Sequence, residues 1–254
     1  MDAPGLPPPA PYVGTSGFAY PEWKPAFYPE GLPQARFLEH YAGRLTACEV
    51  NATFYRLQTT ATTGRWAAAV PEGFRFAAKA HRALTHGVEI APGGDLGGLL
   101  ERFLASLEPM AARLGAVLFQ FPPRRRRDDA VLERLAGALP PGLPWAAEFR
   151  HASWDAPGVA ELVAGLGGTR CLAETAGHVP DALPPGPLAY VRLRGERYDD
   201  AAREGWRELL AREAATRPVL CFAKHEGVPA GDPHAGVGLA EWLVSGSAPP
   251  SPPA

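Results

Sequence analysis

Residues 116–149 read AVLFQFPPRRRRDDAVLERLAGALPPGLPWAAEF, and this stretch indicates how the chain folds. Its two ends, 116–121 and 145–149, are short and apolar on both faces, which is typical of buried parallel strands. Between them, 129–138 has apolar residues at helical spacing, and Asp128 stands where an N-cap is expected. A strand, a helix and a second strand in succession predict a βαβ unit with parallel pairing.

The same alternation extends over most of the 254-residue chain. Further strands are predicted at 12–16, 47–51, 74–79, 170–174, 189–193 and 219–222. Further helices are predicted at 34–45, 59–69, 96–114, 156–166, 200–215 and 236–244, with Asp95 as the N-cap of 96–114. The connection 175–188 contains four prolines, so we expect no full helix there.

Eight strands separated by helices, in a chain of about the usual length, predict one (β/α)8 TIM barrel over 12–244 with a reduced sixth helix. The alternative is an open, doubly wound sheet, which usually carries a glycine-rich phosphate loop after its first strand. Here Gly14-Thr15-Ser16-Gly17 is followed by an aromatic-rich segment that suits no such loop. The proline-rich ends, 1–11 and 245–254, are expected to be flexible tails.

Composition and charge exclude several classes of protein. The net charge is −2, so no global attraction to nucleic acid or to an anionic membrane is implied. No stretch approaches the roughly 18 apolar residues of a membrane span, and 1–11 lacks the apolar core of a signal peptide. Cys48, Cys171 and Cys221 form no close pair, so we expect reduced core thiols in a cytoplasmic protein.

The predicted strands end in polar side chains, and the C-terminal strand ends are where TIM barrels carry their active sites. We take Glu49, Lys79 and Glu148 as candidate catalytic residues. The candidate substrate-binding residues are Ser16, Tyr20, Trp23, Asn51, Tyr55, Gln120, Arg150, His151, Arg192, Arg194 and Lys224. We expect Glu49, Asn51, Lys79, Glu148 and Arg192 to meet in one pocket.

Structural ion pairing is the alternative explanation of these charges, because an isolated buried charge is costly. Glu174 could then pair with Arg192, and Glu148 with Arg150. The four arginines at 124–127 cannot all point into a site, so a solvated loop is the favoured interpretation. The positive charge gathered at this end of the strands nevertheless suits a phosphate or carboxylate substrate.

Metal and hydrolase motifs are weak in this sequence. The seven histidines form no His-Glu-x-x-His pattern, and no Gly-x-Ser-x-Gly elbow occurs. Glu148, His151, Glu174 and His225 could converge on a divalent metal, but a metal is not favoured and no ligands are assigned. The cofactor therefore stays unknown at this level.

Six blocks of the chain, taken in order, resemble the YecE-like family, domain of unknown function 72. These blocks are Gly14–Gly17 with Tyr20, Trp23 and Phe27-Tyr28-Pro29; Glu49–Tyr55; Phe74-Arg75-Phe76 with Lys79; Thr85-His86; Gln120–Pro123; and Glu148–Trp154. The members of that family are TIM barrels, so the resemblance implies the same fold. It implies no activity.

This chain departs from the family pattern at three strand ends. Where the family usually has Arg-x-His-Gly, this chain has Arg192-Leu193-Arg194-Gly195. The family's Phe-Asn-Asn is Phe222-Ala223-Lys224 here, and its usual Asp after the sixth strand is Glu174. The resemblance therefore implies a divergent member with altered or lost chemistry at the presumed site.

Three functional hypotheses follow. The first is an enzyme, of phosphodiester-hydrolase type, that acts on a phosphodiester, a nucleotide or nucleic acid. Arg192, Arg194 and Lys79 would hold the phosphate, and Glu148 or Glu49 would act as general base or metal ligand. The second is a non-catalytic nucleic-acid-binding protein, and the third is a metal-dependent sugar isomerase or epimerase. None of the three implies a membrane or a protein partner.

Overall fold

The computed structural model describes residues 10–87, 90–91, 93–225 and 227–245. Almost all of both predicted tails therefore lies outside the described residues. The strands are β1 Tyr12–Ser16, β2 Ala47–Val50, β3 Arg75–Lys79, β4 Leu114–Gln120, β5 Trp145–Glu148, β6 Thr169–Arg170, β7 Leu172–Glu174, β8 Ala189–Leu193 and β9 Val219–Ala223. All the pairings recorded between them are parallel, in the order β6-β5-β4-β3-β2-β1-β9-β8-β7.

The sixth predicted strand closes this sheet. It is divided at Cys171 into β6, which pairs with β5, and β7, which pairs with β8. Because β6 and β7 are consecutive pieces of one strand, the sheet curls into a nearly closed barrel with helices around it. The predicted TIM-barrel fold is confirmed.

The helices are α1 Phe37–Ala42, α2 Ala52–Tyr55, α3 Thr60–Ala68, α4 Ala83–His86, α5 Leu96–Leu107, α6 Asp129–Ala138, α7 Val159–Gly165, α8 Asp200–Ala214 and α9 Gly236–Ser245. Short 3-10 helices cover Pro21–Trp23, Gln34–Arg36, Glu108–Arg113 and Ala152–Trp154. No helix lies between β7 and β8, a segment the structure describes throughout, as the four prolines predicted. Asp95 and Asp128 cap α5 and α6 as expected, each accepting a hydrogen bond from the amide three residues on.

Three predicted helices were too long. The helix predicted at 96–114 ends at Leu107, and Pro109 follows in the first turn of a 3-10 helix. The helix predicted at 156–166 begins at Val159, because Gly158 precedes it with a left-handed φ of 81°. The helix predicted at 34–45 starts as a 3-10 turn and ends at Ala42. The sequence patterns also missed α2 and α4, which follow β2 and β3 directly.

The barrel interior is packed by small residues from one side and large ones from the other. The small residues are the inward-facing alanines of β2 to β5, Ala47, Ala77, Ala116 and Ala146. The large residues of the same core include Tyr190 of β8 and Phe222 of β9. A second, larger core lies between the sheet and the helices. All three cysteines are buried and unpaired. None of the helices in the described part of the chain has the length and apolar character that crossing a membrane requires.

The inward-facing positions of the strands lead directly to the candidate site. Side chains alternate between the two faces of a strand, so the residue two positions after an interior residue also points inward. Ala47, Ala77 and Tyr190 lie in the barrel interior, and Glu49, Lys79 and Arg192 follow them by two residues. These three polar side chains therefore also point inward. Gln120 and Glu148 follow Leu118 and Ala146 in the same way. A polar layer therefore lies on the apolar interior at the C-terminal mouth.

Candidate functional site

Arg192 lies at the centre of the polar layer and bridges two carboxylates. Its Nη2 is 2.9 Å from Oε1 of Glu49, and its Nη1 is 2.5 Å from Oε2 of Glu148. Only 3% of Arg192 is exposed, and both carboxylates are buried. Nη2 also lies 3.5 Å from Oγ of Ser16. The guanidinium thus connects β2, β5 and β8, which are not neighbours in the sheet.

The other oxygens of both carboxylates are also occupied. Oε2 of Glu49 accepts a 2.7 Å hydrogen bond from the Tyr190 hydroxyl. Oε1 of Glu148 accepts from Nε2 of Gln120 at 2.8 Å and from Nε of Arg150 at 3.0 Å. The pairing of Glu148 with Arg150, which the ion-pair alternative suggested, is therefore present.

These contacts set the ionisation of the central groups. Burial alone would raise the pKa of Glu148, but the charges of Arg192 and Arg150 and the Gln120 hydrogen bond lower it to about 2. Burial opposes the charge on Arg192, yet Glu49 and Glu148 raise its pKa above the ordinary value. Glu148 is therefore ionised at neutral pH, and a carboxylate with so low a pKa is a weak base.

Lys79 differs from Arg192 because no carboxylate binds it. Its amine lies 4.3 Å from the centre of the Phe54 ring, and 9% of the residue is exposed. Within the described ranges no acidic oxygen lies within 4.0 Å of that amine. Burial, and then the charge of Arg192, lower the pKa of Lys79 to about 8 in spite of Glu49 and Glu148. Lys79 can therefore exchange a proton near neutral pH.

Further cations surround the rim of the mouth. Arg150 leaves 44% of its side chain exposed while it binds Glu148. His86, in α4, is half-buried, and its Nδ1 lies 2.8 Å from Oγ1 of Thr85. Burial, followed by the charges of Arg124, Lys79, Arg125 and Arg150, lowers the pKa of His86. The mouth therefore combines three permanent or titratable cations with a neutral imidazole.

The arginine loop after β4 lies against the loop after β3. Arg124 and Arg125 donate to the backbone carbonyls of His86 and Gly87, at 3.0 and 3.2 Å. Arg127 binds Asp129 through two hydrogen bonds. This arrangement agrees with the prediction that the four arginines do not all enter the site.

The aromatic residues among the substrate-binding candidates differ in how far they are exposed. Tyr55 is 71% exposed and meets the edge of Phe54. Tyr20 stacks on His225 with ring centres 4.3 Å apart, and its hydroxyl donates to the Ser16 carbonyl. Trp23 is only 2% exposed, because it packs against Tyr28 and Phe27. Trp23, one of the candidate substrate-binding residues, therefore presents no open ring face for stacking.

Two further predictions are corrected. Glu174 does not pair with Arg192, because its oxygens accept from the Tyr198 hydroxyl at 2.6 Å and from the amides of Ala176 and His178. The convergence of Glu148, His151, Glu174 and His225 on a metal is also wrong. In the described part of the chain no three His, Cys, Asp or Glu residues are grouped to hold a metal ion.

The remaining predicted residues lie at the same end of the barrel with separate surroundings. His151 bonds Ser153 and caps the short helix Ala152–Trp154. Asn51, Arg194 and Lys224 are half-buried and follow β2, β8 and β9. The buried Oδ1 of Asn51 accepts no hydrogen bond from any residue that the structure describes.

Three residues of the site were missed by the sequence analysis. Tyr190 supports Glu49, and its position two residues before Arg192 on the same strand face could have identified it. Phe54, in α2, contacts the Lys79 amine, and His86, in α4, packs against Phe54. Both lie within the quoted blocks of family resemblance, but a lone aromatic or histidine gives no signal of its own.

A cavity of about 560 Å³ opens at the opposite, N-terminal end of the barrel. Prolines and apolar residues line it, and Arg75, stacked on the Tyr12 ring, is the single charged residue among the described residues of its wall. The groups that could perform chemistry all lie at the other end, so this cavity is not the candidate active site.

Comparison with known proteins agrees with this description. The family model described as "Protein of unknown function DUF72" matches residues 12–246. UPF0759 protein YunF of Bacillus subtilis is 28% identical over 151 residues, 58% of this chain and 52% of the relative. The matched part thus spans about half the length of that curated relative.

Two solved structures share the fold. A DUF72 family protein of Thermotoga maritima superimposes with a TM-score of 0.72 at 24% sequence identity, and the match covers 92% of this chain and 97% of that protein. A DUF72 family protein of Enterococcus faecalis superimposes with a TM-score of 0.71 at 18% identity, and the match covers 93% of this chain and 94% of that protein. With the family model covering the whole barrel, the chain belongs to the DUF72 family, as the YecE-like resemblance predicted.

Proposed function

We propose that this protein is an enzyme that acts on a small phosphate-bearing substrate at the C-terminal mouth of the barrel. One observation carries the proposal, which is the excess of cations at that mouth. Arg192 pairs with both Glu49 and Glu148. Arg150 shares Glu148 with Arg192, and Lys79 contacts the Phe54 ring instead of a carboxylate. Such a site attracts an anion rather than a metal cation.

The residues would divide the work as follows. Arg150, with its exposed guanidinium, would bind the phosphate oxygens through charge-assisted hydrogen bonds. Arg192 would position the other groups rather than bind substrate, because it is buried between its two carboxylates. Neutral Lys79 is a better proton acceptor at neutral pH than Glu148, whose pKa is about 2. In phosphodiester hydrolysis, Lys79 would take the proton from the attacking water.

Non-catalytic binding of nucleic acid is the second candidate. The exposed ring of Tyr55 and the arginine loop favour it, since single strands are held by stacking and by phosphate contacts. A sugar isomerase would need Glu49 and Glu148 as metal ligands or bases, and both already accept hydrogen bonds from Arg192. As part of the same proposal, the three unpaired cysteines favour the cytoplasm.

Calorimetry with glycerol 3-phosphate, and with glycerol as the uncharged reference, tests the proposal. Loss of a charge-assisted hydrogen bond costs about 1.5–3 kcal/mol, so Arg150→Gln should weaken phosphate binding by about tenfold to a hundredfold. Arg65→Gln, the same charge change on the exposed surface of α3, should leave binding unaltered.

A screen of phosphate-bearing substrates tests the catalytic part. We expect turnover that Lys79→Met abolishes. Equal affinities for glycerol and glycerol 3-phosphate would refute the anion site. Oligonucleotide binding with a steep salt dependence, in the absence of turnover, would favour the non-catalytic candidate.

A further inference from the structure

Lys79 is an unusual buried cation because the neighbouring carboxylates are already bound. Glu49 and Glu148 lie in the same polar layer, yet both neutralise Arg192. Lys79 contacts a ring face instead of an acidic oxygen. A charged amine with no counter-ion in contact is costly to bury, so this position increases the fraction of neutral amine, which is a nucleophile.

We infer that the ε-amine of Lys79 forms an imine with the carbonyl carbon of a phosphate-bearing aldehyde or ketone bound at the barrel mouth. The inference rests on the proposed function, because the phosphate would be held by Arg150 at the rim while the carbonyl reaches the amine. It names the substrate class more narrowly, as a carbonyl compound that carries phosphate.

The groups that face Lys79 support a neutral amine. Arg192 on β8 and Arg150 after β5 oppose its protonation, whereas Glu49 on β2 and Glu148 on β5 favour it. Burial is the largest effect, and the net result is a pKa of about 8. An ordinary lysine has a pKa of about 10.4, so the neutral fraction of Lys79 at pH 7 is larger by about two-hundredfold. His86, whose own pKa is lowered, packs against the Phe54 ring with ring centres 5.2 Å apart.

The chemistry balances without a redox partner. The nitrogen lone pair of Lys79 adds to the carbonyl carbon, and the carbonyl oxygen takes up a proton to give a carbinolamine. The nitrogen loses a proton, and the hydroxyl group leaves as water when it is protonated. The products are one carbon–nitrogen double bond and one water molecule. In its protonated form this imine withdraws electrons from the neighbouring carbon, which is the use that enzymes make of lysine imines.

Pyridoxal 5′-phosphate is a suitable probe, because it carries an aldehyde and a phosphate on one small ring. The protein would be mixed with one equivalent of the probe at pH 7.5, reduced with borohydride, and digested for peptide mass spectrometry. The sequence contains only Lys24, Lys79 and Lys224, so the labelled amine is easily located. We expect at least tenfold more label on Lys79 than on Lys24, rising with pH to a half-maximum near pH 8.

Three variants control for the fold and for general lysine reactivity. Lys79→Arg keeps the positive charge and should still bind glycerol 3-phosphate, but it cannot form an imine. Lys24→Arg changes a lysine that bonds the Glu30 carbonyl outside the barrel, and labelling of Lys79 should be unchanged. Lys79→Met, which removes an unpaired charge, should melt at no lower temperature than the wild type.

The outcomes separate the two proposals. Labelling of Lys79 by pyridoxal 5′-phosphate but not by pyridoxal, with protection by glycerol 3-phosphate, would support both. Equal labelling by both aldehydes would refute the phosphate site and, with it, the phosphate-bearing substrate class inferred here. Glycerol 3-phosphate binding without any label on Lys79, or label confined to Lys24, Lys224 or the N-terminal amine, would overturn the imine and leave the proposed function standing.

Discussion

Replacing Arg192 by methionine should strongly destabilise the protein, because it removes the cation that two buried carboxylates share. Removing one partner of a buried ion pair typically costs about 3–5 kcal/mol. The two carboxylates would not suffer equally. Glu148 keeps Arg150 and Gln120, whereas Glu49 keeps only the Tyr190 hydroxyl among the described residues. We therefore place the expected loss at about 4 kcal/mol at pH 7.

The pH dependence of the free energy of unfolding is a second test of the role of Arg192. In the wild type the folded pKa of Glu148, about 2, lies below the value of about 4.3 for an unfolded glutamate. Its stabilising contribution is therefore present above about pH 4.3 and is lost as the pH falls to 2, a decrease of about 3 kcal/mol. Without Arg192 the pKa of Glu148 is less depressed, so this decrease should be smaller.

Urea unfolding followed by tryptophan fluorescence measures both effects. Arg102→Met breaks a mostly exposed pair with Asp95 and should cost at most about 1 kcal/mol. Combining Arg192→Met with Glu49→Gln and Glu148→Gln removes the two orphaned charges and should recover much of the loss. A loss below about 1 kcal/mol for Arg192→Met alone, with an unaltered pH profile, would refute the view that Arg192 neutralises both carboxylates.

Three further substitutions test single contacts, each by the same unfolding measurement. Tyr190→Phe deletes the hydrogen bond to Glu49 and should cost about 1.5–3 kcal/mol, and a neutral result would mean that water replaces the hydroxyl. Asp128→Ala removes the N-cap of α6 and should cost about 1 kcal/mol, unless another group caps the helix. Gly14→Ala would put a methyl group 1.7 Å from the Ala47 carbonyl oxygen, so a stably folded variant would contradict the close approach of β1 and β2.

The barrel could be predicted because its signal is local. Each strand is a short apolar run, and each helix has its own spacing and cap, as Asp128 and α6 illustrate. Period-two alternation within a strand is equally local, and it was enough to expect Glu49 and Arg192 on the inner face at the mouth. Helix ends were less predictable where a 3-10 turn continued the same spacing, as it does after Leu107.

The partners within the site could not be predicted, because closure of the barrel decides them. Under the ion-pair alternative, Glu174 on the adjacent strand was the suggested partner of Arg192. The structure instead directs it across the mouth to β2 and β5, while Tyr198 and two backbone amides occupy Glu174. Trp23 was equally ambiguous, since an aromatic residue after a strand packs inward or lies open according to residues far away in sequence.

The order in which Arg192 and its two carboxylate partners are synthesised has a consequence for folding. Its carboxylates belong to β2 and β5, within the first 148 residues, but the guanidinium arrives only with β8. A nascent chain that has emerged through β5 would have to enclose two negative charges with no arginine between them. Partial barrels are therefore penalised until the last quarter of the chain docks, and closure becomes a late, cooperative event rather than a strand-by-strand addition.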